Sequence, residues 1–106
     1  MSVVSYDFDG VLSFGPPWVL RDFLADVGDP TVDVWICTAR YGRGRERAEV
    51  EGWLRLQGVD VPVVYTDREL KGPHLHAMRA RRHYDDDPAQ LNSADEWGVD
   101  AIFVET

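Results

Sequence analysis

Short apolar runs alternate along the chain with longer segments of helical periodicity. The short runs are rich in β-branched and aromatic residues, as buried strands are, and they occupy residues 3–8, 33–38, 61–66 and 99–104, with a brief run at 83–84. The longer segments repeat apolar residues every three or four positions, at residues 18–27, 46–57, 72–80 and 89–97. We interpret the alternation as an α/β domain with a parallel sheet and helices on both of its faces.

The composition is that of one ordinary globular domain. The chain has 106 residues, of which 44% are apolar and 28% charged, so a single domain spanning residues 1–106 is expected. The single cysteine, Cys37, excludes a disulfide framework and a metal site of several cysteines. The tryptophans are predicted to fill the small core: Trp18, Trp35, Trp53 and Trp97.

Acidic side chains outnumber basic ones in this chain. Nineteen Asp and Glu residues against eleven Lys and Arg residues give a formal net charge of −8, which disfavours a protein that coats nucleic acid. No apolar run reaches the ~20 residues that span a bilayer, and the N-terminal residues lack the basic and apolar regions of a signal peptide. We therefore predict a cytoplasmic protein without a membrane partner.

Two groups of carboxylates follow predicted strands. Asp7 and Asp9 stand two residues apart at the end of the first strand, where side chains at this spacing point to the same side. Carboxylates that close repel each other unless a cation or a shared proton lies between them. The second group, DDD at residues 85–87, follows the brief fourth strand. Each group also has an ordinary structural explanation, as a turn at Asp9-Gly10 and as an acidic helix start.

Both groups are expected at one place, because ligand sites of parallel sheets lie beyond the carboxyl ends of the strands. Together they form a cluster of hard oxygen ligands suited to Mg²⁺. Thr38, Ala39 and Arg40 follow the second strand and offer a hydroxyl and backbone N–H groups to phosphate oxygens. Lys71, the one lysine of the chain, opens a predicted helix, where the macrodipole disfavours a cation, so another partner is expected to hold it.

In this order the motifs resemble those of the haloacid dehalogenase superfamily of phosphohydrolases. The matching stretches are DFDGV at residues 7–11, WICT at residues 35–38, Lys71, and YDD at residues 84–86, so the resemblance covers nearly the whole chain. It implies a Mg²⁺-dependent phosphatase that hydrolyses phosphate monoesters. We expect a three-layer α/β/α, Rossmann-like sheet with the strand order 5-4-1-2-3.

The resemblance also implies a role for each matching residue. Asp7 would be the nucleophile that forms an aspartyl-phosphate, and Asp9 would protonate the leaving oxygen and then activate water. Thr38 would bind the phosphoryl group, and Lys71 would neutralise it and orient the nucleophile. The predicted substrate contacts are Gly10, Thr38, Ala39 and Arg40.

The predicted metal site draws on both acidic groups. The resemblance implies that Mg²⁺ is bound by the Asp7 carboxylate, the Asp9 backbone carbonyl and Asp86. Asp85 would position Lys71, and it is also a candidate ligand itself. The motif leaves open which of the three consecutive acids contacts the ion directly.

No segment of the chain is long enough for the cap domain that members of this superfamily often carry. Only residues 11–34 separate the first two strands, and only residues 67–70 separate the third strand from Lys71. An open site suits a phosphorylated nucleic-acid end or protein. A small phosphorylated molecule is an alternative, as is a second copy of the chain that completes the site.

Two alternatives to a general phosphomonoesterase stay open. Thr38-Ala39-Arg40 is similar to the phosphatase domain of polynucleotide kinases, which indicates removal of 3′-phosphates from nucleic-acid ends. Asp87, however, stands where those domains carry an arginine. The other alternative is a non-catalytic binding module of the same fold, although such a module has no need of both Asp7 and Asp9.

Overall fold

The computed structural model describes residues 1–106 and contains five strands and four helices. The strands are β1 (Ser2–Tyr6), β2 (Val32–Thr38), β3 (Val63–Tyr65), β4 (Ala80–Asp85) and β5 (Asp100–Phe103). The helices are α1 (Pro17–Val27), α2 (Gly44–Gln57), α3 (Gly72–Ala77) and α4 (Pro88–Glu96). None of the helices combines the length and the apolar character that a membrane crossing requires.

The strands form a single parallel sheet in the order β3-β2-β1-β4-β5. This is the predicted order 5-4-1-2-3 read from the opposite edge, so the predicted α/β class and strand order are confirmed. β1 lies at the centre and pairs with β2 on one side and β4 on the other. The carboxyl ends of these three strands therefore meet in the middle of one edge of the sheet, where the candidate residues follow them.

The strand bounds differ from the prediction, most of all at β4 and β3. β4 begins at Ala80 rather than at residue 83, because Arg82 takes part in the ladder opposite Val4 although its charge hides the strand pattern. The turn before β4 depends on Arg79, whose positive φ of 61° ends the preceding helix region early. β3 is shorter than predicted, since Pro62 has no N–H and only its carbonyl contributes to the pairing.

The core consists of two clusters that contain different helices. The larger cluster joins Val4, Tyr6 and Ile36 of the sheet to Phe23 of α1 and Val50 of α2. The smaller cluster joins residues near β2 and β4 to α3 and α4; its members are Cys37, Leu75, Ala80, Ala94 and Val99. The alternation of side chains along the strands separates the two sets, because neighbouring positions point to opposite faces.

The prediction that all four tryptophans fill the core is wrong for Trp97. Its side chain is 44% exposed and contacts the ring of His76 at a centroid distance of 5.2 Å. Trp18 and Trp53 are partly buried against the larger cluster. The largest fully buried side chains include Tyr6 and Phe23 and no tryptophan.

Candidate active site

Three charged side chains meet at the carboxyl end of the sheet. Lys71, which precedes α3, donates hydrogen bonds from Nζ to Asp7 Oδ1 at 2.8 Å and to Asp85 Oδ2 at 2.6 Å. The three side chains are only 2%, 9% and 0% exposed, respectively. One ammonium group thus bridges two carboxylates from adjacent strands in a place that water hardly reaches. The sequence predicted that another group holds the Lys71 ammonium at the start of its helix, and the Asp7 and Asp85 carboxylates are that partner.

A buried polar chain continues behind Asp85. Its Oδ2 also bonds His83 Nε2 at 2.7 Å, and His83 Nδ1 bonds Ser5 Oγ at 2.9 Å. Ser5 and His83 are directly opposite each other in the β1–β4 ladder. Because an ionised carboxylate only accepts, His83 donates from Nε2, and its Nδ1 accepts from the Ser5 hydroxyl. The other oxygen of Asp85 accepts from the Asp87 N–H at 3.1 Å, so both carboxylate oxygens have partners within the protein.

Helix α4 fixes the backbone at Lys71. Gln90 Oε1 accepts from the Lys71 N–H at 2.9 Å, and Ser93 Oγ accepts from the Gly72 N–H at 2.9 Å. Both side chains are buried. A Cβ atom on Gly72 would collide with the Trp97 ring and with Ser93, so glycine is what allows α3 to begin this close to α4. Lys71 is therefore held at its backbone by α4 and at its ammonium group by the two carboxylates.

Burial and charge give the two bridged carboxylates opposite pKa shifts. Burial raises the pKa of Asp7 to about 7, with the Lys71 charge opposing the rise and the Asp85 charge adding to it. Burial also acts on Asp85, but the hydrogen bond from His83 and the charge of Lys71 outweigh it and hold the pKa below its usual range. Despite burial, the two carboxylates raise the pKa of Lys71, which is therefore protonated. Burial lowers the pKa of His83, which is neutral.

Asp7, Asp85 and Asp86 could together hold a cation. Each offers a carboxylate oxygen, and these three oxygens lie within 4.8 Å of one another. Oxygen donors of this kind suit Mg²⁺. Since both oxygens of Asp85 are already engaged, Asp7 and Asp86 are the better placed for direct ligation. Asp87 is used elsewhere, because its Oδ1 caps α4 by accepting from the Ala89 N–H at 3.0 Å.

Gly10 makes room for the Asp86 carboxylate. Its φ is +73°, which an L residue rarely adopts, and a Cβ atom there would collide with Asp86 Oδ2. The glycine of the Asp9-Gly10 turn is thus required both by the turn and by the neighbouring acid. This close approach places the backbone at residue 10 beside the candidate metal site.

The Asp9 carboxylate stands apart from this cluster and pairs with Arg40. Arg40 donates from Nε and Nη2 to the two Asp9 oxygens at 2.9 and 2.8 Å, a bidentate ion pair. Its guanidinium carbon lies 5.2 Å from the centroid of the Phe8 ring, and Nη1 donates to the Glu46 carbonyl at 3.0 Å. The Asp9 side chain is 55% exposed, so this pair lies at the mouth of the site.

A cleft of about 340 Å³ opens above the buried charges, and we call it the carboxylate cleft. Of the predicted substrate contacts, Gly10 and Ala39 line it, whereas Thr38 and Arg40 do not. Thr38 is fully buried, and its Oγ1 accepts from the Arg40 N–H at 3.3 Å. The lining residues are Asp7, Asp9, Gly10, Ala39, Arg68, Lys71, Asp85, Asp86, Asp87 and Gln90.

Comparison with known proteins supports the fold. A crystal structure of an uncharacterized protein from Corynebacterium glutamicum ATCC 13032 Kitasato has a similar fold. The TM-score is 0.68 at 18% sequence identity, and the match covers 100% of this chain and 86% of that chain. No family model matches the chain, and no curated protein matches it. At this level of identity the likeness concerns the fold alone.

Sequence reasoning missed the residues that support the site from behind. Ser5 could have been found as a polar residue inside an apolar strand, but His83 lies in a strand with two arginines, and only the register shows that the two residues face each other. Gln90 and Ser93 are three residues apart and so share one face of α4 with Ala94, which is buried. Arg68, in the wall of the carboxylate cleft, has a positive φ of 69° and gave no signal in the sequence.

Proposed function

We propose that this protein is a Mg²⁺-dependent phosphomonoesterase that works through a covalent aspartyl-phosphate on Asp7. The observation that carries the proposal is the meeting of unlike charges at Asp7. The Lys71 ammonium lies 2.8 Å away, and carboxylate oxygens of Asp85 and Asp86 lie within 4.8 Å. The resemblance to the haloacid dehalogenase superfamily agrees with it. The central position of β1 and the two core clusters also support a three-layer, Rossmann-like arrangement.

Electrostatics explains why a phosphate ester needs such a site. A phosphate dianion is repelled by a carboxylate nucleophile until positive charge offsets the repulsion. Lys71 contributes one positive charge within hydrogen-bond distance of Asp7, and burial strengthens its effect because little water screens it. Mg²⁺, when bound by Asp7 and Asp86, would add further positive charge and orient the phosphate oxygens.

The proposed reaction has two steps. First, an Asp7 oxygen forms a bond to phosphorus while the bond to the leaving oxygen breaks, and the leaving oxygen takes a proton from Asp9, which has separated from Arg40 and gained that proton from solvent. Second, water attacks phosphorus and gives a proton to Asp9, the bond to Asp7 breaks, and inorganic phosphate leaves. Asp9 suits this role because its carboxylate is 55% exposed and lies at the exposed side of the carboxylate cleft, where substrate and water can reach it.

Turnover of an aryl phosphate with and without Mg²⁺ tests the proposal. We expect hydrolysis that requires the metal, that is abolished in Asp7→Asn, and that leaves a phosphoryl group on Asp7 when the reaction is quenched with acid. Asp95→Asn, which changes an exposed acid on α4, is the matched control and retains activity. Full activity in Asp7→Asn, or turnover unaffected by chelation of divalent cations, would overturn the proposal.

A small phosphorylated molecule in the cytoplasm is the proposed substrate class. Removal of 3′-phosphates from nucleic-acid ends is a second candidate, favoured by one observation. Between β1 and β2 the chain forms only a loop and α1, and between β3 and α3 it forms only a loop, so the carboxylate cleft is left uncovered. Faster turnover of a 3′-phosphorylated oligonucleotide than of the matching nucleoside 3′-monophosphate would select this candidate.

A further inference from the structure

A second cleft adjoins the carboxylate cleft, and the two share Asp9. This second cleft, which we call the aromatic cleft, has a volume of about 390 Å³, within the range of small-molecule sites. Phe8 and Trp53, whose rings meet edge to face at 5.5 Å, lie at its base. Arg40 lines one side of it. Beyond Asp9, the carboxylate cleft thus leads into a space with aromatic walls.

Two exposed apolar side chains line the aromatic cleft. Phe14, on the loop between β1 and α1, is 102% exposed, and Leu56 on α2 is 87% exposed. Phe14 also has a positive φ of 60°, a strained conformation for an aromatic residue. Neither exposure nor strain benefits the folded state by itself. Both are explained if the ring is held ready for a ligand.

The aromatic cleft is kept open by a glycine in α2. Gly52 lies in the interior of the helix, where glycine is less stable than alanine. A Cβ atom there would meet only Arg55 Nη2, at 3.8 Å, so packing within the protein does not require glycine. A larger side chain at this position would instead occupy the cleft.

We infer that the aromatic cleft binds the leaving group of the phosphomonoester, and that this group carries a planar aromatic ring. The inference rests on the proposed function, because Asp7 sets the position of phosphorus and Asp9 the position of the leaving oxygen. The part of the substrate beyond that oxygen then extends past Asp9 into the aromatic cleft. Phe14 and Trp53 offer ring faces and edges there for stacking, and a nucleobase or an aryl group has the matching shape.

Three substrates with Mg²⁺ test the inference: a nucleoside monophosphate, phenyl phosphate and glycerol phosphate. We expect kcat/KM to be higher for the two ring-bearing substrates. Phe14→Gly, which removes the ring and suits the backbone, should lower kcat/KM for ring-bearing substrates about tenfold more than for glycerol phosphate. Gly52→Leu should do the same by filling the aromatic cleft. Phe103→Ala is the matched control, because Phe103 is a 55% exposed aromatic residue that lines neither cleft.

The outcomes separate this inference from the proposed function. Equal losses for all three substrates, or no loss in either variant, would overturn the role of the aromatic cleft while leaving a phosphatase. Absence of Mg²⁺-dependent hydrolysis with every substrate would overturn the proposed function, and the inference with it. A preference for the nucleoside monophosphate over phenyl phosphate supports the inference and identifies the ring as a base, and the reverse preference supports it with a simple aryl group.

Discussion

Lys71 and Arg40 are the two cations that hold the acids of the DxD motif, and they do so in opposite surroundings. Lys71 is 2% exposed and bridges Asp7 and Asp85, which are themselves buried. Arg40 is 15% exposed and forms a bidentate ion pair with Asp9, which is 55% exposed. The first pairing belongs to a chain of buried hydrogen bonds that runs through His83 to Ser5. The second stands at the mouth of the site, in contact with solvent.

The two acids of the motif therefore differ in their access to solvent: Asp7 is held in a buried pair, whereas the Asp9 carboxylate is 55% exposed. Burying an ion pair costs desolvation energy, so such a pair persists only where further hydrogen bonds satisfy it, and removing one partner is strongly destabilising. An exposed pair contributes little and is easily replaced. A nucleophile must be held still, whereas a proton donor must reach different partners in successive steps. The two environments suit the tasks proposed for Asp7 and Asp9.

The largest effect is expected from Lys71→Met. This change leaves Asp7 and Asp85 facing each other in a buried site without a counter-charge. We expect the unfolding free energy at neutral pH to fall by about 3–5 kcal/mol, as measured by chemical denaturation. Arg40→Met, the matched change at the mouth of the site, should lower it less, because the Asp9 carboxylate that loses its partner is 55% exposed and stays hydrated. Equal losses in the two variants would show that the contrast in burial has no energetic consequence.

The second prediction concerns the pH dependence of the metal-free protein. The folded state raises the pKa of Asp7 from 3.8 to about 7, so it binds that proton more tightly than the unfolded chain does. The contribution of Asp7 to the unfolding free energy is therefore greatest below about pH 4. It is lost as the pH rises to about 7, at about 1.4 kcal/mol for each pH unit. The Asp7→Asn variant has no ionisable group at this position, so this pH dependence should be absent from it. Denaturation at several pH values should show the wild-type protein losing stability relative to Asp7→Asn across this window.

Mg²⁺ should reverse this loss in the wild-type protein. Binding requires the ionised carboxylate, so the metal should raise the melting temperature more at pH 8 than at pH 5. Asp7→Asn should show a much smaller rise at either pH, because it lacks one of the two carboxylates proposed to bind the metal directly. The assignment of Asp7 as a metal ligand would be contradicted by either of two results. In one, the rise in the melting temperature of the wild-type protein is the same at pH 5 and pH 8; in the other, Asp7→Asn shows the same rise as the wild-type protein.

The sequence was sufficient for the α/β class and for the grouping of the main acids. Alternating strands and helices predict a parallel sheet, and the rule that sites lie at the carboxyl ends of strands brings Asp7 and Asp86 together. Two predicted substrate contacts, Thr38 and Arg40, do not line the carboxylate cleft.

The support behind these acids could not be predicted in the same way. Ser5 and His83 face each other only because of the β1–β4 register. Arg40 and Asp9, which form an ion pair, are 31 residues apart in the sequence.

A fourth prediction concerns the support from α4. Gln90→Leu removes the acceptor of the Lys71 N–H in a buried place, which should cost about 1–3 kcal/mol of unfolding free energy. Because the lysine backbone then loses its anchor, aryl phosphate turnover should also fall. Gln57→Leu, at the exposed end of α2, is the matched control and should change neither quantity appreciably. A Gln90→Leu protein with wild-type stability and turnover would show that the backbone needs no such anchor.

The smallest effect is expected from the exposed pair itself. A double-mutant cycle of Arg40→Gln and Asp9→Asn should give a coupling energy of about 0.2–1 kcal/mol at low salt, since solvent screens the Asp9 carboxylate, which is 55% exposed. The coupling should shrink further near 1 M NaCl, where the Debye length is about 3 Å. The corresponding cycle of Lys71→Met and Asp85→Asn should respond much less to salt, because both groups are buried. If the Arg40–Asp9 coupling were large and insensitive to salt, Asp9 would be as firmly held as Asp7. It could not then exchange Arg40 for the leaving oxygen at little cost.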